Sequence, residues 1–134
     1  MSRVIWSDDF SIGNEEIDTQ HKELIRILDN LNQSVGNKGE NRSIKGTILE
    51  LQHYAVIHFS TEEVYMCDMM YEELEDHIQQ HDFFRAKVKE LHSLNIVKGC
   101  DKSLELVQFI TEWLLNHVMA EDKKIPFIPA SSSL

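Results

Sequence analysis

Apolar residues recur along this chain three and four positions apart, the period of helices that each bury one face. The first stripe is Ile17, Leu24, Ile25, Leu28, Leu31 and Val35, behind an N-terminal arm spanning residues 1–14. Gly36, Asn37, Gly39 and Asn41 tolerate left-handed backbone and are predicted to end that helix. A second helix is predicted from about Ser43, its N-cap, through Ile44, Ile48, Leu51, Ala55, Phe59, Tyr65 or Met66, and Met69. A third stripe runs Leu74, Ile78, Phe84, Val88 and Leu91. Asn95 to Gly99 interrupts the pattern, and Asp101 caps a fourth helix through Leu104, Val107, Ile110, Leu114 and Val118. Pro126 and Pro129 stop it, and in the C-terminal tail over 126–134 the residues Ala130 to Leu134 are expected to be loose. Only Arg3 to Trp6 hints at strand alternation. Short connections make successive helices antiparallel neighbours. The expectation is an all-α fold, an up-down-up-down antiparallel four-helix bundle forming a single domain over 1–134.

Composition narrows the functional classes. With 42% hydrophobic and 27% charged residues, the 134-residue chain has the make-up of an ordinary globular protein. Its 13 Lys and Arg against 23 Asp and Glu give a net charge of −10, which repels nucleic acid and anionic lipid surfaces. No apolar run approaches the ~20 residues of a membrane span, and the opening residues lack an apolar signal core. A cytoplasmic protein is expected. Cys67 and Cys100 fall at opposite ends of the predicted third helix. About 18 residues at ~1.5 Å rise separate them by ~27 Å, against a disulfide limit of ~7 Å. Both are expected to be free thiols. The unusual count is seven histidines against two prolines.

Five of those histidines fall on the stripes. His21 sits between Ile17 and Leu24, and His58 lies three after Ala55 with Glu62 four further on. His77 and His81 are themselves i and i+4, so they share a face. His117 follows Leu114 by three, and Asp122 comes after it. Each alone would read as a hydrogen-bonded core histidine or a chance surface pair. Together they would bury seven ionisable groups in one small core, at several kcal/mol each if unpartnered. Metal ligation satisfies them jointly, and imidazole with carboxylate suits iron, manganese or zinc. His53 lies about 140° round the helix from His58, and His92 sits at a helix end, so both are expected to face solvent. Asp122 is also about 140° from His117 on a regular helix. Its participation requires a distorted helix or a carboxylate reaching in from a fraying end.

Seven ligands exceed the three of a catalytic zinc site and suit two metals. If Glu62 and Asp122 both bridge, with an oxide or hydroxide as third bridge, the five histidines divide three and two. One metal is then full and the other keeps one vacant position, the arrangement of a diatomic-ligand site. Oxygen-activating di-iron bundles use four carboxylates and paired Glu-x-x-His motifs instead. The one match here, Glu50 with His53, lies off the stripe.

The segments Asp18-Thr-Gln-His21, His58-Phe-Ser-Thr-Glu62-Glu, His77-Ile-Gln-Gln-His81-Asp-Phe and Trp113-Leu-Leu-Asn-His117-Val-Met-Ala-Glu-Asp122 resemble those of bacterial hemerythrins, as does the early Trp6. The resemblance spans residues 3 to 125. It implies a cofactor of two iron ions, oxo- or hydroxo-bridged, with His77, His81 and His117 on the saturated iron and His21 and His58 on the open one. Glu62 and Asp122 would bridge. It further implies reversible dioxygen binding by a carrier, store or delivery protein, with an oxygen- or redox-sensing module of a larger signalling protein as the alternative. No enzymatic activity is expected. Leu24, Phe59, Trp113, Leu114 and Val118 are the expected oxygen pocket, small anions such as azide would bind at the open iron, and the protein would be a monomer. One departure stands before the third helix, where the family often has Tyr-Pro and this chain has Tyr71-Glu72.

Overall fold

The arm turns into the first helix at Asn14, whose side-chain oxygen accepts the Ile17 N–H at 3.0 Å. A computed structural model describes residues 4–36, 41–93 and 101–126. Four helices follow the four stripes: α1 (Glu15–Gly36), α2 (Asn41–Asp68), α3 (Leu74–Ser93) and α4 (Asp101–Asn116). The second helix therefore starts two residues before Ser43. Each helix packs on the next, and α1 also meets α4, which closes the ring of the bundle. There is no strand among the described residues, so the alternation around Val4 to Trp6 does not become one.

The core runs along the bundle axis. Leu24, Leu28, Leu31, Ile48, Leu51, Phe84, Leu91, Val107 and Ile110 are all essentially inaccessible. Ile27 joins them, although it falls outside the expected stripe. The first helix needs this wider apolar face because α2, α4 and the arm all cover it. Two carboxylates on α1 hold the arm. Asp18 accepts from the Ser11 hydroxyl at 2.6 Å and the Ile12 N–H at 2.9 Å, and Asp29 accepts the Val4 N–H at 2.9 Å. A buried polar pair joins α1 to α4, where the Asn32 amide donates to Leu28 O at 2.8 Å and to the Thr111 hydroxyl at 2.9 Å.

Two helix ends matter for the site. The second helix closes with Tyr71 N–H on Met66 O and Met70 N–H on Cys67 O. This crossed pair, with Met70 at φ 53°, is a Schellman cap, and Tyr71 packs back near Met66 as that motif favours. The Tyr71-Glu72 departure thus alters a turn outside the histidine faces. The fourth helix changes pitch at His117, where residues His117–Glu121 form a π-helical turn followed by a 3-10 turn over Asp122–Lys124. Cys67 is exposed and free. Cys100, the 95–99 interruption and the 130–134 tail lie outside the described residues.

Candidate metal centre

The π turn brings Asp122 to the cluster. Its backbone N–H bonds to the His117 carbonyl five residues back, so the two side chains stack on one face. On an α-helix they would diverge. The remaining members are placed by regular spacing: His21 on α1, His58 and Glu62 on α2, and His77 and His81 on α3. All seven are buried, the most exposed being His117 at 3%. His53 and His92 are exposed, as their off-stripe positions predict.

Donor atoms gather in two overlapping sets. Glu62, His77, His81, His117 and Asp122 offer atoms within 4.8 Å of one another, and so do His21, His58, Glu62 and Asp122. The two carboxylates belong to both, each turning one oxygen to each side. Glu62 Oε2 lies 3.4 Å from His21 Nε2 and 3.3 Å from His58 Nε2, while its Oε1 lies 3.2 Å from His81 Nε2. Asp122 Oδ2 lies 3.1 Å from His21 Nε2, while its Oδ1 is 3.0 Å from His77 Nε2 and 3.1 Å from His117 Nε2. Neighbouring ligands about 2.1 Å from one ion and at right angles lie about 3 Å apart, so these separations suit shared coordination.

Hydrogen bonding fits the same reading. Among the described residues, eight buried side-chain polar atoms lack a hydrogen-bond partner, and six of them face into the cluster: Nε2 of His21, His58 and His81, both oxygens of Glu62, and Oδ2 of Asp122. Buried polar atoms are rarely left orphaned, and a metal ion is a partner that a set of inward nitrogens and carboxylate oxygens would accept. Three outward nitrogens are held from behind, whereas Nδ1 of His21 has no partner. His58 Nδ1 bonds Gln20 Oε1 at 2.8 Å, His117 Nδ1 bonds Gln80 Oε1 at 3.0 Å, and His81 Nδ1 bonds Glu63 Oε2 at 2.7 Å. Both glutamines are locked with the oxygen facing the imidazole, since the Gln20 amide donates to Thr61 and the Gln80 amide to Asp76. Each of these imidazoles therefore donates outward and turns the lone pair of Nε2 inward, as a ligand requires. Gln20, Glu63 and Gln80 lie within the segments that resemble hemerythrins, but neither the apolar stripes nor ligand spacing marks them.

Without a metal the cluster holds protons. Burial alone lowers the basicity of His21, but Asp122 and Glu62 outweigh it and raise the pKa to about 9. His81 is likewise raised, because Glu62 and Glu63 overcome the effect of burial. Burial dominates at His58 and pushes it down. Burial also favours the neutral form of Glu62, yet the facing His58, His21 and His81 hold it well below the usual carboxylate range. Asp122 is lowered by His117, His21 and His77 against burial and the Glu62 charge.

Of the residues expected around an oxygen site, Phe59 and Trp113 stack on cluster imidazoles. Leu24, Phe59, Leu114 and Val118 are buried in the main core cluster, and Trp113 packs against it half-buried. The Phe59 ring stacks on His81 with centroids 3.9 Å apart, and Trp113 stacks on His117 at 4.8 Å. Trp113 thus borders the three-histidine side.

Comparison with known proteins agrees with this geometry. A family profile described as the hemerythrin HHE cation binding domain matches residues 12–125. A bacteriohemerythrin of Clostridium acetobutylicum is 31% identical over 124 residues, covering 90% of this chain and 96% of that protein. One from Pseudomonas aeruginosa is 32% identical, covering 91% of this chain and 78% of the relative. A solved structure of a hemerythrin leucine-to-alanine mutant superposes with a TM-score of 0.77 at 25% identity, covering 92% of this chain and 95% of the other. With its helical bundle and the His, Glu and Asp cluster at its centre, this chain belongs to the hemerythrin family.

Proposed function

We propose that this protein binds dioxygen reversibly at a di-iron centre and acts as an oxygen carrier, store or delivery protein, with no catalytic role. The observation that carries this reading is the division of the donors into three and two histidines around two shared carboxylates. His77, His81 and His117 with one oxygen each of Glu62 and Asp122 would nearly fill one iron. His21 and His58 with the other two oxygens would hold the second iron, which has one protein donor fewer and so would keep a position for a small ligand. When bound, the iron pair supplies the electrons that make dioxygen binding a reversible redox event.

The chain's own part is to hold and to exclude. Gln20, Gln80 and Glu63 fix the imidazoles in the orientation that aims Nε2 inward. Leu24, Phe59, Leu114 and Val118, with Trp113 beside His117, form an apolar surround that keeps outside water and protons away. Small anions such as azide would compete for the open position. The test is reconstitution with ferrous iron under anaerobic conditions, followed by cycles of air and argon. Two irons per chain, one dioxygen taken up per iron pair, and a visible spectrum that reverses on purging are expected. Irreversible oxidation in the first cycle, or uptake without a fixed ratio to iron, would refute the reading.

A further inference from the structure

The three outward hydrogen bonds to cluster imidazoles are chemically unequal. His58 and His117 donate to the neutral amides of Gln20 and Gln80, whereas His81 donates to the carboxylate of Glu63 at 2.7 Å. A carboxylate behind an imidazole raises its basicity toward a metal more than an amide does, because it stabilises positive charge on the outer N–H. The same Glu63 oxygen also accepts from Arg85 Nη2 at 3.0 Å. Arg85 in turn donates to Asp82 at 2.7 Å, and its guanidinium carbon lies 5.3 Å from the centre of the Phe59 ring that stacks on His81. Glu63 and Arg85 are only partly buried, at 22% and 28% exposure. A single charged pair thus links solvent to one imidazole of the cluster.

We propose that Glu63 is a positioning residue that makes His81 a stronger donor than His58 or His117, with Arg85 restraining it, so that this pair sets the ferric-over-ferrous preference of the three-histidine metal. The proposal rests on the di-iron reading above. Its sign follows from charge. A more basic imidazole favours the ferric state and lowers the reduction potential. Replacing Glu63 by Gln keeps the shape and an acceptor but removes the charge, so the ferrous state gains. Removing Arg85 frees the carboxylate from its competitor, so the ferric state gains. The two substitutions therefore act in opposite directions, although both disturb the same ion pair.

The test measures the reduction potential of the iron-loaded protein by spectroelectrochemistry for wild type, Glu63→Gln and Arg85→Met, with iron content determined on each sample. About a tenfold shift of the ferric-to-ferrous ratio toward ferrous is expected in Glu63→Gln, equal to about 59 mV upward for a one-electron couple. A shift of opposite sign is expected in Arg85→Met. Zinc dissociation supplies a second readout, with Glu63→Gln binding its weakened metal roughly 10- to 100-fold less tightly. Potentials that move in the same direction in both variants, or stay fixed while iron content is intact, would overturn the proposal. If Glu63→Gln does not load, Arg85→Met decides alone, since an unchanged potential there refutes it. A wild-type protein that never holds two irons would overturn the di-iron reading itself and this inference with it, a result distinct from the others.

Discussion

Titrating the metal-free protein with ferrous iron in the absence of oxygen should raise its melting temperature in steps set by the subset each ligand serves. A ligand that binds only the folded state at about 1,000 times its dissociation constant adds about 4.1 kcal/mol of stability. The entropy of unfolding is about 2.1 cal/mol/K per residue, or about 0.28 kcal/mol/K for a chain of this length. One occupied position is then worth about 15 °C and two are worth about 30 °C. Glu62 offers an oxygen to both donor sets, whereas His58 belongs to one. Glu62→Ala should therefore abolish most of the shift, and His58→Ala should leave about half of it. His53→Ala and His92→Ala should keep the whole shift, because both side chains are exposed and off the cluster face. His81→Ala should, like His58→Ala, lose two-metal stoichiometry. Differential scanning calorimetry with metal analysis reads all of these. Equal losses in Glu62→Ala and His58→Ala would refute the shared-carboxylate geometry, and a loss in His53→Ala would refute the assignment of faces.

Three further outcomes are expected. Leu114→Ala should retain two irons, because no donor is removed, but lose roughly 2–5 kcal/mol of stability from its fully packed position. Its autoxidation should accelerate, and an unchanged rate at a temperature where the variant is folded would remove Leu114 from the oxygen pocket. Met70→Gly should stabilise the protein by about 1 kcal/mol, since Met70 holds a left-handed φ of 53° while 84% exposed; a lower melting temperature would show that the cap is not strained. Metal affinity should rise with pH until about 9, the pKa to which His21 is raised from 6.5, because loading must displace that proton. The metal-free protein shows the converse linkage: the His21 contribution is complete below pH 6.5 and vanishes as pH rises through about 9. The contributions of Glu62 and Asp122, both lowered, are present above their ordinary values of 4.5 and 3.8 and fade as pH falls below them. Proton release on loading, followed by calorimetry in buffers of different ionisation enthalpy, checks the sign.

Much of the bundle was legible because period and burial are tied together. Helices α1 to α4 follow the apolar stripes, and the five histidines on those stripes are the five that meet in the core. Asp122 shows how a misfit informs. Its spacing from His117 contradicts a regular helix, and the structure resolves the conflict with a π turn instead of excluding the residue. Other features depend on how neighbouring helices face each other, which local pattern does not encode. Glu63 lies in a hemerythrin-like segment, but its role appears only when α3 brings His81 against it. Gln20 and Gln80 likewise become meaningful only when α2 and α4 present His58 and His117 to them. Asn32 looks like an interruption of the first stripe, yet Thr111 across the core satisfies its amide. Met70 escapes notice because a Schellman cap usually carries glycine at that position.

The most direct test of the central claim is anomalous diffraction at the iron edge from crystals of the reconstituted protein. Two peaks about 3.5–4 Å apart are expected, the spacing usual for paired metals. One should lie among His77, His81 and His117 and the other beside His21 and His58, with Glu62 and Asp122 between them. A single peak, or two peaks that do not share both carboxylates, would contradict the account.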